Sequence, residues 1–170
     1  MSQVLRFYKI AQTYIAEKQW QMAAKQLESA MRIHRNVPEY NLAMGECKMN
    51  LELYKDAVIY FGNVVRHKPK NVAGWEALIR CLFNAEYFEE AQEQCIAAIV
   101  ATEGKPIFHF YFSAALFFLG KPKEALLQLE KAMEAAPKLL KKFIELHPSV
   151  LQNTAVVDII ARYKKGKKFN

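Results

Sequence analysis

Every 34 residues this chain returns to the same side chain. Ala23, Ala57, Ala91 and Ala125 form an unbroken column. Further columns run in phase with it: Ala30, Val64, Ala98 and Ala132; Met31, Val65, Ile99 and Met133; Leu27, Phe61, Cys95 and Leu129. Ile10, Met44, Leu78 and Phe112 form another, followed by Ala11, Gly45, Ile79 and Ser113. Trp20, Tyr54 and Phe88 share a place that Pro122 takes in the last unit. A repeat of this length specifies one supersecondary unit that buries its apolar face only by stacking on copies of itself.

Within a unit the apolar residues recur at i, i+3, i+4 and i+7, as Phe7, Ile10, Ala11 and Tyr14 do, which is helical spacing. Breaks near Glu17–Gln19, Asn50–Glu52, Asn84–Glu86 and Gly120–Pro122 divide each unit into two helices. Four abutting hairpins are expected over 4–37, 38–71, 72–105 and 106–139, with Pro69 and Pro137 at unit ends, where a proline closes a helix cheaply. Beyond residue 139 the period stops. Leu139, Leu140, Phe143, Ile144 and Leu146 predict a short amphipathic helix ended by Pro148, and Val156, Ile159, Ile160 and Tyr163 a second one starting at Asn153 or Thr154. A stack of repeats needs its last apolar face covered, so 140–164 is read as capping helices and 165–170 as a basic tail.

The period, small-residue columns, aromatic column and terminal prolines resemble the tetratricopeptide repeat (TPR) family, most fully at Gly120, Ala125, Leu129, Ala132 and Pro137. The likeness spans residues 4–139. Asn41 and His109 depart from it where Phe7 and Trp75 stand, and so does Lys48, in place of an apolar or aromatic residue. The implied fold is all-α: a right-handed superhelical solenoid of antiparallel helix pairs, capped by C-terminal helices.

The resemblance also implies a binding surface, a concave groove lined by the first helix of each hairpin that accepts peptides. In the first unit its residues are Leu5, Tyr8, Lys9, Gln12, Ile15 and Ala16. In the second they are Glu39, Leu42, Ala43, Glu46, Met49 and Asn50. The third offers Ala73, Glu76, Ala77, Arg80, Phe83 and Asn84, and the fourth Ile107, Phe110, Tyr111, Ala114, Phe117 and Phe118. Some TPR proteins clamp a partner's terminal carboxylate with Lys, Asn and Arg; here Tyr8, Gln12, Ala43, Ala73 and Ala77 fill those places, and no such clamp is expected. Residues 107–119 are apolar nearly all round, and a helix of that kind must be covered on every side. Either the cap covers Phe110, Tyr111, Phe117 and Phe118, or a partner helix does.

No residues point to catalysis. The six glycines never lie within ten positions of one another, which excludes a phosphate loop, and the serines lie outside any Gly-x-Ser-x-Gly elbow. His-Glu-x-x-His and Glu-x-x-His are absent. Cys47 and Cys81 share a repeat position, and with Cys95 they read as small buried side chains. Glu86, Glu89, Glu90 and Glu93 read as a solvated helix face, and His34, His67 and His147 as residues near helix ends. The expectation is a protein without cofactor, metal or small-molecule substrate that binds a protein or peptide and acts as a scaffold.

The formal charge of +7 raises an alternative, association with RNA or an anionic membrane surface. Residues 1–137 carry 16 basic and 15 acidic side chains, whereas 138–170 carry 8 and 2. The positive charge therefore sits in the cap and tail (Arg162, Lys164, Lys165, Lys167, Lys168), not in the groove, where nucleic acid is not expected. The apolar first helix predicts either self-association or further repeats upstream. The longest apolar stretch, 107–119, is too short to span a bilayer; without a signal peptide pattern at the start, the reading leans to the cytoplasm.

Overall fold

A computed structural model of the chain describes residues 2–165. All regular structure among them is helical. Eight helices of 13 or 14 residues come first: α1 (Gln3–Ala16), α2 (Trp20–Ile33), α3 (Pro38–Asn50), α4 (Tyr54–His67), α5 (Val72–Asn84), α6 (Phe88–Ala101), α7 (Pro106–Phe118) and α8 (Pro122–Ala135). Two shorter ones follow, α9 (Leu140–Leu146) and α10 (Thr154–Lys165), each preceded by a 3₁₀ turn, Pro137–Leu139 and Pro148–Gln152.

Local chemistry fixes these boundaries. Pro38, Pro106 and Pro122 open α3, α7 and α8, where the missing N–H costs nothing. Asn71 caps α5 by accepting from the Gly74 N–H at 2.8 Å, and the Asn153 side-chain carbonyl caps α10 by accepting from Ala155 at 3.0 Å. The turn inside each hairpin has one residue in the left-handed region, at Lys18 (φ 57°), Glu52 (60°), Glu86 (60°) and Gly120 (69°). These four positions are 34 apart. The residue after it donates back across the helix end, as in Gln19 to Tyr14 O (2.8 Å), Leu53 to Lys48 O (2.9 Å) and Lys121 to Leu116 O (2.9 Å), the six-to-one bond of a Schellman motif.

The chain divides into two compact units, one ending at Ala85 and one beginning at Glu86. In the first, α1 packs on α2 and α3, α3 on α4, and α5 on α3 and α4. Ala11, Ala23, Leu27, Met44 and Cys47 form its core, with Tyr14, Trp20 and Tyr60 against them. The small-residue column permits close approach: a methyl group on Gly45 would collide with the Phe61 ring. In the second unit α7 is central, touching α6, α8 and α9, while α10 packs on α8. Ser113, fully buried, donates to the Ala125 carbonyl at 2.8 Å, which ties α7 to α8.

Candidate functional site

Helical spacing places Tyr8, Gln12 and Ile15 on one face of α1, and Glu39, Leu42 and Glu46 on one face of α3. α1 and α3 are neighbours, and between these faces lies a cleft of about 410 Å³ lined by Tyr8, Gln12, Ile15, Ala16, Glu39, Leu42, Ala43 and Glu46. All eight belong to the set that the TPR resemblance assigns to the groove. Small Ala16 and Ala43 leave the space, and Ile15 and Leu42, both half-buried, give it an apolar wall. Burial pushes the Tyr8 phenol up; a hydrogen bond from Gln12 opposes this, and Glu39 and Tyr40 add to it. Burial and the Glu39 carboxylate thus disfavour the phenolate. The Tyr8 and Tyr40 rings lie 4.8 Å apart. Glu39 and Glu46 are exposed, and neither has an ion-pair partner among the described residues. The cleft therefore combines an apolar wall with two free carboxylates, a surface suited to a cationic, partly aliphatic segment.

Other residues expected at the groove are distributed differently. Lys9 is exposed on α1 and Met49 half-buried on α3, both outside the cleft lining. Glu76 and Arg80 stand on α5, which neighbours α3. An open groove does not extend to the remaining members. Phe110 and Ala114 are wholly buried and Tyr111 nearly so, because α9 lies over α7 and sets Phe143 6.1 Å from Phe110 and 6.5 Å from Phe117. Of the two readings of 107–119, the structure has the C-terminal segment over Phe110 and Phe117, while Phe118 stays 40% exposed. Phe83 is also buried, at 7% exposure; a ring of that size gains more from packing than from facing water. Phe117 is half-buried beneath Phe143 and His147. Phe118 stacks between Phe88 (4.1 Å) and His147 (4.0 Å).

The remaining polar and reactive groups are accounted for locally. Cys47, Cys81 and Cys95 are free and buried; burial pushes the first two thiols up to about 11 and raises Cys95 well above the ordinary value, so all three stay protonated and unreactive. His67 bonds the Asn63 carbonyl at 2.8 Å and His109 bonds Gln128 at 2.8 Å. Glu86, Glu89, Glu90 and Glu93 are exposed. Among the described residues no cluster of His, Cys, Asp or Glu could hold a metal ion, and no helix is long and apolar enough to cross a membrane. Arg162 is paired with Glu130 at 2.7 Å; residues 166–170 of the expected basic tail lie outside the described residues. A second cleft beside Asn41 also exists, and its one trace in the sequence is an asparagine in an otherwise largely aromatic column.

No protein-family model matches the chain. Solved structures do resemble it. MamA from Desulfovibrio magneticus RS-1 superposes with a TM-score of 0.73 at 16% identity, over 99% of this chain and 97% of that one. MamA AMB-1 gives 0.66 at 20% identity over 77% and 72%. TTC0263, a thermophilic TPR protein of Thermus thermophilus, gives 0.61 at 17% identity over 95% and 97%. The chain therefore has the all-α helical-repeat fold of the TPR proteins.

Proposed function

We propose that this protein is a non-enzymatic interaction module that binds a polypeptide segment in the cleft between α1 and α3. The observation that carries the reading is the cleft itself. It is open, it has unpaired Glu39 and Glu46 beside Ile15 and Leu42, and it lies on the surface that helical-repeat proteins present through their first helices. The segment that fits is short and carries a lysine or arginine near an aliphatic side chain: the aliphatic group sits on Ile15 and Leu42, and the cation meets a carboxylate. Glu76 and Arg80 on α5 extend the contact surface beyond the cleft. A fold alone licenses no partner, and the chemistry of the cleft is what narrows the choice.

Panning a random peptide library on the full chain tests this directly. Enriched peptides should carry a basic residue close to an aliphatic one. Leu42→Asp or Glu46→Lys should weaken them by about tenfold or more while the helical circular dichroism stays unchanged. Enrichment of peptides indifferent to both substitutions would sink the reading.

A further inference from the structure

The second repeat lacks a ring that the first and third possess. Phe7 and Trp75 occupy one register position, and Asn41 stands there between them. The Trp75 indole N–H donates to the Pro69 carbonyl at 2.7 Å. The Asn41 amide donates to the Arg35 carbonyl at 3.1 Å, and Arg35 stands 34 positions before Pro69. Asn41 thus reproduces the indole's hydrogen bond one repeat earlier while supplying none of the ring's bulk. A second donated bond, to Val37 O at 3.0 Å, fixes the side chain, which is 3% exposed. Among the described residues its carbonyl oxygen receives a single long bond, from Asn63 at 3.4 Å.

Beside it lies a cleft of about 410 Å³, within the size range of small-ligand sites. Buried Met44 and half-buried Met31 and Tyr60 give it an apolar side. Arg32 and Arg35 also line it; both are exposed, and neither guanidinium has an ion-pair or hydrogen-bond partner among the described residues. Glu28 is the one carboxylate in the lining, so positive charge is in excess. Guanidinium groups stack on aromatic faces and grip carboxylates with two parallel hydrogen bonds.

We propose that this cleft docks an aromatic side chain of a partner polypeptide, flanked by a carboxylate. The ring enters beside Asn41, where the second repeat has no aromatic side chain of its own, and the carboxylate meets Arg32 and Arg35. This cleft shares no lining residue with the one between α1 and α3, so it stands independently of the function proposed above.

The test follows the Asn41 and Asn63 side-chain amides by NMR while the full chain is titrated with the peptide acetyl-Glu-Trp-Glu-amide. Saturable shifts at those amides are expected. Replacing the tryptophan by alanine, or both glutamates by lysine, should weaken binding by about tenfold or more. Asn41→Trp fills the cleft from inside and should abolish the shifts elsewhere in the lining while thermal stability is kept or raised. The double variant Arg32→Gln, Arg35→Gln should lose about tenfold in affinity with unfolding unchanged; it decides the matter if Asn41→Trp does not fold. The proposal is overturned if the peptide gives no saturable shift, if the lysine peptide binds as well, or if binding survives either variant. Binding of free indole-3-acetate without binding of the peptide overturns it too, since the site would then take a small aromatic acid.

Discussion

Leu42 and Phe110 hold the same place in their repeats, as do Glu46 and Ala114, yet one pair lines an open cleft and the other lies buried. The hairpins themselves do not explain this. α3 and α7 are both 13 residues long, both open on proline and both end in a turn with a left-handed residue. What differs is what comes to lie on them. α7 carries Phe108, Phe110, Tyr111 and Phe117 and is covered by α9, whereas α3 presents Glu39 and Glu46 to water. A repeat sets the register of the residues on its first helix, then, but a segment outside the repeat decides whether that face is exposed. The two states also differ in what they give the fold: a covered position contributes its full burial to stability, an open one much less.

The sharpest way to break this contrast is to truncate both register partners. Phe110→Ala removes a wholly buried ring packed on Phe143 and should cost about 3–5 kcal/mol. Leu42→Ala, at a half-buried place, should cost about 1 kcal/mol. Chemical denaturation of the two variants measures both. Equal losses would mean that α3 is as fully covered as α7, and the cleft would cease to be a site.

Much of this architecture is legible in the sequence because it is periodic. The alanine columns locate the helix pairs, and the breaks at Glu17–Gln19, Asn50–Glu52, Asn84–Glu86 and Gly120–Pro122 fall where the helices stop. The eight residues of the α1–α3 cleft are among those that the TPR resemblance assigns to the groove once the repeat is in phase. Coverage is different. Whether Phe110 faces water depends on how Phe143 folds back, and no period links those two residues. The cleft beside Asn41 is harder still: an asparagine that keeps a tryptophan's hydrogen bond looks in the sequence like a mere departure from the pattern.

The hairpin turns offer a smaller and cleaner comparison between the units. The last turn uses Gly120 in the left-handed region; the others place Lys18, Glu52 and Glu86 there. A side chain with a Cβ costs about 1–2 kcal/mol in that conformation relative to a relaxed backbone, and glycine recovers only part of this because it has more freedom to lose on folding. Glu52→Gly should therefore stabilise the protein by about 1 kcal/mol, and Gly120→Lys should destabilise it by a similar amount. Thermal unfolding followed by circular dichroism measures both, and a loss of stability in Glu52→Gly would show that the Glu52 side chain contributes something the turn geometry does not reveal.

The cover over α7 differs from the open cleft in one more respect, its response to pH. His147 ends α9, stacks on Phe118 at 4.0 Å and meets Phe117 edge-on, whereas no histidine lines the α1–α3 cleft. Burial lowers the His147 imidazole below its ordinary value of 6.5, because the charged ring loses hydration. Above 6.5 the ring is neutral in both folded and unfolded chains, and its packing contributes in full. As pH falls through 6.5 the unfolded chain takes up the proton first, so stability declines, and the decline stops below the lowered folded value. His147→Phe keeps the stacking and removes the proton. The drop in melting temperature from about pH 7.5 to about pH 5.5 should accordingly be smaller in His147→Phe than in the natural chain. An identical drop in both would mean that the imidazole is as well hydrated in the folded protein as in the unfolded one, and that the cover over α7 does not respond to pH through His147.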